Sequence, residues 1–198
     1  MSGVNSKIVI VGGVPGVGKT TVINKALEEA KAVGLEVTTM VYGSVMMEMA
    51  TEMYNLQDRD ELRKLDEEKQ KIIQREAGLR IAERAQNKLV IVDTHYTIKT
   101  GHGIYLQGIP SWVSDALQPK LLILIETRPE DISKRRNYDS SRERDEEDIS
   151  QLKEHQEINR TSATTICQKT GALLAIISNK QGLANEAGKI LFHYLESL

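Results

Sequence analysis

A glycine-spaced loop set directly behind a short β-branched run dictates much of what this sequence can become. Ile8-Val9-Ile10-Val11 reads as a buried parallel strand. It runs into Gly13-Val14-Pro15-Gly16-Val17-Gly18-Lys19-Thr20, a complete G-x-x-x-x-G-K-[ST] pattern, with a helix expected over Thr21–Val33. Each residue type has a physical reason. Glycines reach positive φ and bring backbone N–H groups close to phosphate oxygens. The helix that follows adds the positive end of its dipole. Lys19 reaches β/γ-phosphates, and the Thr20 hydroxyl, followed by Thr21, is placed to ligate Mg²⁺. A loop of this kind in this context implies binding of a nucleoside triphosphate.

The strand, helix and second apolar segment Leu35–Tyr42 form a βαβ unit, which implies a parallel sheet. Ligands of such sheets bind beyond the carboxyl ends of the strands, so Tyr42, Gly43 and Ser44 are expected to border the site. Further strands read at Lys88–Asp93, Lys120–Ile125 and Ala172–Ile177, and a terminal helix over Gln181–Leu198. At 198 residues one domain is expected, large enough for a proper core. A net charge of −2 offers no basic field for nucleic acid or anionic membrane. No apolar run approaches the ~20 residues that span a bilayer, and the N-terminal residues do not read as a signal peptide. The lone Cys167 excludes an intrachain disulfide framework and reads as a small buried helix residue. A soluble, cytoplasmic, unprocessed chain is the expectation.

Between the second and third strands the sequence turns helical. Ser44 is a candidate cap for a helix over Val45–Asn55 carrying Met46, Met47, Met49 and Met53, and a charged, periodic helix follows from Arg59 to Gln86. Arg59 and Arg63 share one face near its start, where the helix dipole does not favour cations, so an anionic partner is plausible beside the neighbouring Asp58, Asp60 and Glu61. The third strand ends on Asp93, the pattern of a carboxylate that orients Mg²⁺. A long Gly- and hydroxyl-rich loop follows to Pro110; its His95 and His102 lack partners at metal-ligand spacing and read as hydrogen-bonding residues. Lys134–Asp145 packs five basic residues, among them Arg135, Arg136, Arg142 and Arg144, around turn formers. That composition suits a cationic connector clamping phosphate.

Taken together, the Gly13–Thr21 loop, Asp93-Thr94-His95 with the Thr97–Pro110 loop, and the Arg135-Arg136…Asp139…Arg142…Arg144-Asp145 series resemble the archaeal-type adenylate kinases. The resemblance covers nearly the whole chain. It implies an α/β fold, a five-stranded parallel sheet flanked by helices, and Mg²⁺-dependent transfer from ATP to AMP giving two ADP. It further implies a helical monophosphate-binding segment about 44–86, with Thr94 and His95 on the monophosphate side, a short lid about 134–145, and a homotrimer. The chain departs from bacterial and eukaryotic relatives in having Thr20, not Gly, after Lys19, and no cysteine-bearing zinc lid. The chemistry agrees: a phosphate nucleophile needs no general base, only alignment and cations. Two other readings stay open. A hydroxyl-phosphorylating small-molecule kinase would use Asp93 as base. A GTPase-type switch is suggested by Asn179-Lys180-Gln181-Gly182, although Gly182 stands where the guanine-reading aspartate belongs.

Overall fold

The computed structural model describes residues 7–100, 103–138 and 148–198. Five parallel strands, β1 (Lys7–Gly12), β2 (Val37–Val41), β3 (Leu89–Asp93), β6 (Leu121–Glu126) and β7 (Leu173–Ser178), form one sheet in the order β2-β3-β1-β6-β7. β1 is therefore central, with Ile8 beside Val90 and Val9 beside Leu121. Its period-two alternation divides the interior. Ile8 and Ile10 face one core with Val90, Val92 and Leu122, whereas Val9 and Val11 face the other with Ile91, Ile123 and Ile125. Ile8 to Val11 are all fully buried, which is why the strand reads as an unbroken apolar run.

Helices cover both faces. The first core is closed by α2 (Tyr42–Tyr54), α4 (Glu67–Arg84), α5 (Ser111–Leu117) and α7 (Ile149–Thr170). The second is closed by α1 (Lys19–Ala32), α6 (Pro129–Tyr138) and α8 (Ala184–Glu196), through residues such as Val22, Ile132 and Leu191. Asp148 caps α7 with a reciprocal capping box: its side chain accepts from Gln151 N, while the Gln151 side chain accepts from Asp148 N. Gly171, at φ 76°, closes the other end.

Three local expectations change. α2 begins at Tyr42 with Val41 in the N-cap position, so Ser44 lies inside the helix and caps nothing. The Tyr42 ring is drawn into the core, and its hydroxyl donates to the Gln74 carbonyl at 3.0 Å. The helix expected from Arg59 to Gln86 is two helices, α3 (Arg59–Lys64) and α4, because Asp58 and Asp66 each accept from backbone N–H groups ahead of them and restart the chain. The loop after Asp93 contains a two-stranded antiparallel sheet, β4 (Thr97–Lys99) with β5 (Tyr105–Gln107). Cys167 is only half-buried; the burial it has pushes its thiol above the usual value.

Candidate nucleotide site

The loop joining β1 to α1 leaves the carboxyl end of the central strand, with β3 on one side and β6 on the other. Gly16 and Gly18 take φ of 96° and 88°, the left-handed region that glycine enters without a Cβ clash. Space matters as well: a Cβ on Gly18 would lie 2.5 Å from Asn179 Nδ2. At Gly12 the obstacle is the Tyr96 ring, 2.5 Å from where a Cβ would stand. Tyr96 is fully buried, and its hydroxyl bridges the carbonyls of Ile10 and Ile123 at 3.2 and 3.1 Å, tying β1 to β6 beneath the loop.

Charge sits at the loop's mouth. Lys19 opens α1, and its Nζ lies 3.8 Å from Asp93 Oδ1 at the end of β3. Burial raises the Asp93 carboxyl above its ordinary value, and the Lys19 ammonium partly offsets that. Thr20 and Thr21 are exposed in the first turn, and Thr94, half-buried, donates its N–H to the Val11 carbonyl at 3.1 Å.

Side chains from α6 and from the end of β3 grip the loop's backbone. His95 Nδ1 lies 3.1 Å from the Gly13 carbonyl. Arg136 Nε donates to the Pro15 carbonyl at 2.9 Å. Arg135 donates to the Val17 carbonyl at 2.9 Å, to Asn179 O at 3.0 Å and to Gln181 Oε1 at 3.0 Å. Partial burial lowers the Arg135 pKa from its usual value. Arginines at the end of α6 and a histidine after β3 thus face the loop itself. Sequence reasoning missed these contacts, and it missed Asn179 as a site residue. The donors lie 82 to 121 residues along the chain from the carbonyls they bind, a separation that leaves no signature in a linear pattern.

On the monophosphate side expected from the sequence, residues divide. Gly43 lies beneath Arg59, whose Nη2 would be 3.7 Å from a Cβ there. Arg59 and Ser44 line an open groove of about 480 Å³ with Met47, Glu48, Thr51 and Glu52. Arg63 is not part of that groove; it pairs with Asp60 at 2.9 Å in the solvent. Tyr42, buried as described above, is absent from it too. His102, Arg142 and Arg144 lie outside the described residues.

No group of three or more His, Cys, Asp or Glu capable of holding a metal occurs among the described residues. A cation here would rest on Thr20 and Asp93. Hard oxygen donors in so small a number suit Mg²⁺, which keeps several waters and takes its remaining ligands from phosphate.

Comparison with known proteins agrees with this site. A family model described as "AAA domain" matches residues 12–153. The adenylate kinase of Methanocaldococcus jannaschii is 44% identical over 191 residues, covering 96% of this chain and 99% of that protein. That of Methanopyrus kandleri is 44% identical over 193 residues, covering 96% and 98%. Among solved structures, shikimate kinase from Acinetobacter baumannii in complex with shikimate superimposes with a TM-score of 0.57 at 19% identity, over 97% of this chain and 94% of that one, a likeness of fold. With its triphosphate-type loop on the central strand and such identity end to end, the chain belongs to the archaeal adenylate kinases, within the AAA-type P-loop domains.

Proposed function

We infer that the protein catalyses reversible, Mg²⁺-dependent transfer of the terminal phosphoryl group of ATP to AMP, giving two ADP. The observation that carries this reading is the Lys19–Asp93 pair at the mouth of the glycine loop, 3.8 Å apart, one at the start of α1 and the other at the end of β3. Residues Gly13–Thr21 would cradle the donor's phosphates, with Lys19 neutralising charge as it builds during transfer. Thr20 and Asp93 would hold the Mg²⁺, which supplies charge neutralisation and orientation between the phosphates. The acceptor is itself an anion, so alignment replaces proton removal.

The groove beside α2 supports a place for the acceptor. Arg59 is the one cation among its lining residues, which include Ser44, Met47 and the carboxylates of Glu48 and Glu52. The segment 44–86 is read as the monophosphate-binding part, with Thr94 near the transfer point. The region 134–145 is read as the lid, supplying arginine to the phosphates. Of the four arginines named for that role, Arg135 and Arg136 hold loop carbonyls here, and Arg142 and Arg144 lie outside the described residues. A homotrimer follows from the family resemblance alone. No described helix is long and apolar enough to cross a membrane, and a cytoplasmic location is the accompanying proposal.

A coupled ATP–AMP assay on wild type and Lys19→Ala, with melting curves on the same samples, tests the reading. Wild-type turnover lost in a folded variant supports it. A folded Lys19→Ala protein turning over normally refutes it.

A further inference from the structure

The segment Asn179-Lys180-Gln181-Gly182 fails as a guanine reader, and the structure gives Asn179 another partner. Its Nδ2 donates to the Val17 carbonyl at 2.7 Å, the shortest of the bonds gripping the loop. The amide orientation is fixed by this contact, since a flip would press Oδ1 against a carbonyl oxygen. Asn179 is only 3% exposed. It is itself held at both backbone ends, its N–H donating to Glu126 O at 2.7 Å and its carbonyl accepting from Arg135 at 3.0 Å.

The carbonyls taken by side chains are those of Gly13, Pro15 and Val17, every second residue of the loop. No peptide bond among the described residues is cis. Across a trans peptide, C=O and N–H point in opposite directions. The Asn179 amide therefore turns the Gly18 N–H away from itself, and His95 and Arg136 do the same, each on its own peptide, for the N–H groups of Val14 and Gly16. None of those three N–H groups has an acceptor among the described residues. A backbone N–H with no acceptor in the protein can serve an anion.

We propose that Asn179 is a positioning residue for the phosphoryl donor: through the Val17 carbonyl it sets the Val17–Gly18 peptide plane, so that the Gly18 N–H faces the donor's phosphates. Asn179 touches no substrate. Arg135 shares the same carbonyl, and His95 and Arg136 act likewise on the planes that follow Gly13 and Pro15. The bare glycine at 18 completes the arrangement, because a side chain there would collide with the Asn179 amide. This inference rests on the reading of the loop as the donor's site.

The test compares wild type, Asn179→Ala and His95→Ala. Losing one hydrogen bond of about 1 kcal/mol is expected to raise the KM for ATP roughly fivefold in Asn179→Ala, with the KM for AMP within twofold. Binding of inorganic tripolyphosphate, measured by calorimetry, is expected to weaken by the same factor, since that probe has neither base nor sugar. His95→Ala is expected to shift ATP and tripolyphosphate in the same sense. A residue that merely supports the fold would lower the melting temperature and move both substrates together. The proposal is overturned by an unchanged KM for ATP, by parallel rises for ATP and AMP, or by weaker ATP use with intact tripolyphosphate binding. Should Asn179→Ala not fold, Asn179→Ser takes its place. Failure of the donor-site reading shows separately, as normal turnover in folded Lys19→Ala, and leaves the tripolyphosphate comparison readable.

Discussion

The loop after β1 and the helical segment α2–α4 both border the site, yet they are held by opposite means. Around the loop, hydrogen bonds from β3's end, α6 and β7's end converge on backbone carbonyls, and a buried tyrosine braces the strand below. Around α2–α4 the restraint is side-chain packing along one seam, Val45, Met49, Ile73, Ala77 and Ile81. Outside that seam stands an ion-pair cluster in which Arg80 reaches Glu48 and Glu52, each at 3.0 Å, and Arg84 pairs with Glu48. Met53, Ile72 and Leu79 remain exposed on these helices. Directional bonds fix atoms to fractions of an ångström, as charge stabilisation at a transferring phosphoryl group requires. Packing fixes a surface while tolerating a shift of the helices as a body.

That contrast is broken most severely at the loop. Lys19→Ala is expected to cost roughly 10²–10³-fold or more in turnover with little change in melting temperature. Gly18→Ala combines positive φ with a 2.5 Å approach to Asn179, so ATP affinity and stability should fall together, unlike in Lys19→Ala; isothermal binding and melting on one sample decide this. In the helical segment the order reverses. Ile73→Ala, at a fully buried position, should cost about 2–5 kcal/mol of stability, read by denaturant unfolding, while the KM for ATP stays near wild type in the remaining folded protein.

Two milder changes sharpen the comparison. Asp93→Asn should raise the Mg²⁺ concentration needed for half-maximal rate; if added Mg²⁺ makes no difference and only the pH profile moves, Asp93 is acting as a base and a hydroxyl substrate is favoured. Glu48→Gln should have the smallest effect. The hydrogen bond from Arg84, followed by the charges of Arg84 and Arg80, holds the Glu48 carboxyl below its ordinary value. Its contribution is therefore present above the unfolded carboxylate pKa and lost as pH falls through the lower, folded value. The wild-type and Glu48→Gln melting curves should converge on acidification and in high salt, because the pair is half exposed and screened.

The same division explains what could be read in the sequence. The five sheet strands lie within two residues of where their apolar runs place them, since burial on both faces writes itself into consecutive residues. The loop is equally plain, because its glycines and Lys19 act through local backbone geometry. β4 and β5 escape notice because three residues are too few to show alternation. The break between α3 and α4 hides because the charged periodicity continues across Leu65 and Asp66, and the capping role of Asp66 emerges only when Lys69 N is seen against it. Asn179 was noticed for the wrong partner: its type and its place after a strand were visible, but the Val17 carbonyl lies 162 residues away.

The capping box at Asp148 has a consequence for how such proteins can diversify. Since Asp148 and Gln151 satisfy each other's backbone groups, the start of α7 is specified within four consecutive residues. The helix carries Asn159, whose Oδ1 accepts from Thr97 N and Oγ1, and Arg160, which grips Glu126 through two bonds. Insertions or deletions just upstream of Asp148 would leave the register of those contacts untouched. The first turn of α7 thus acts as an anchor, holding the walls of the site in register through residues of its own.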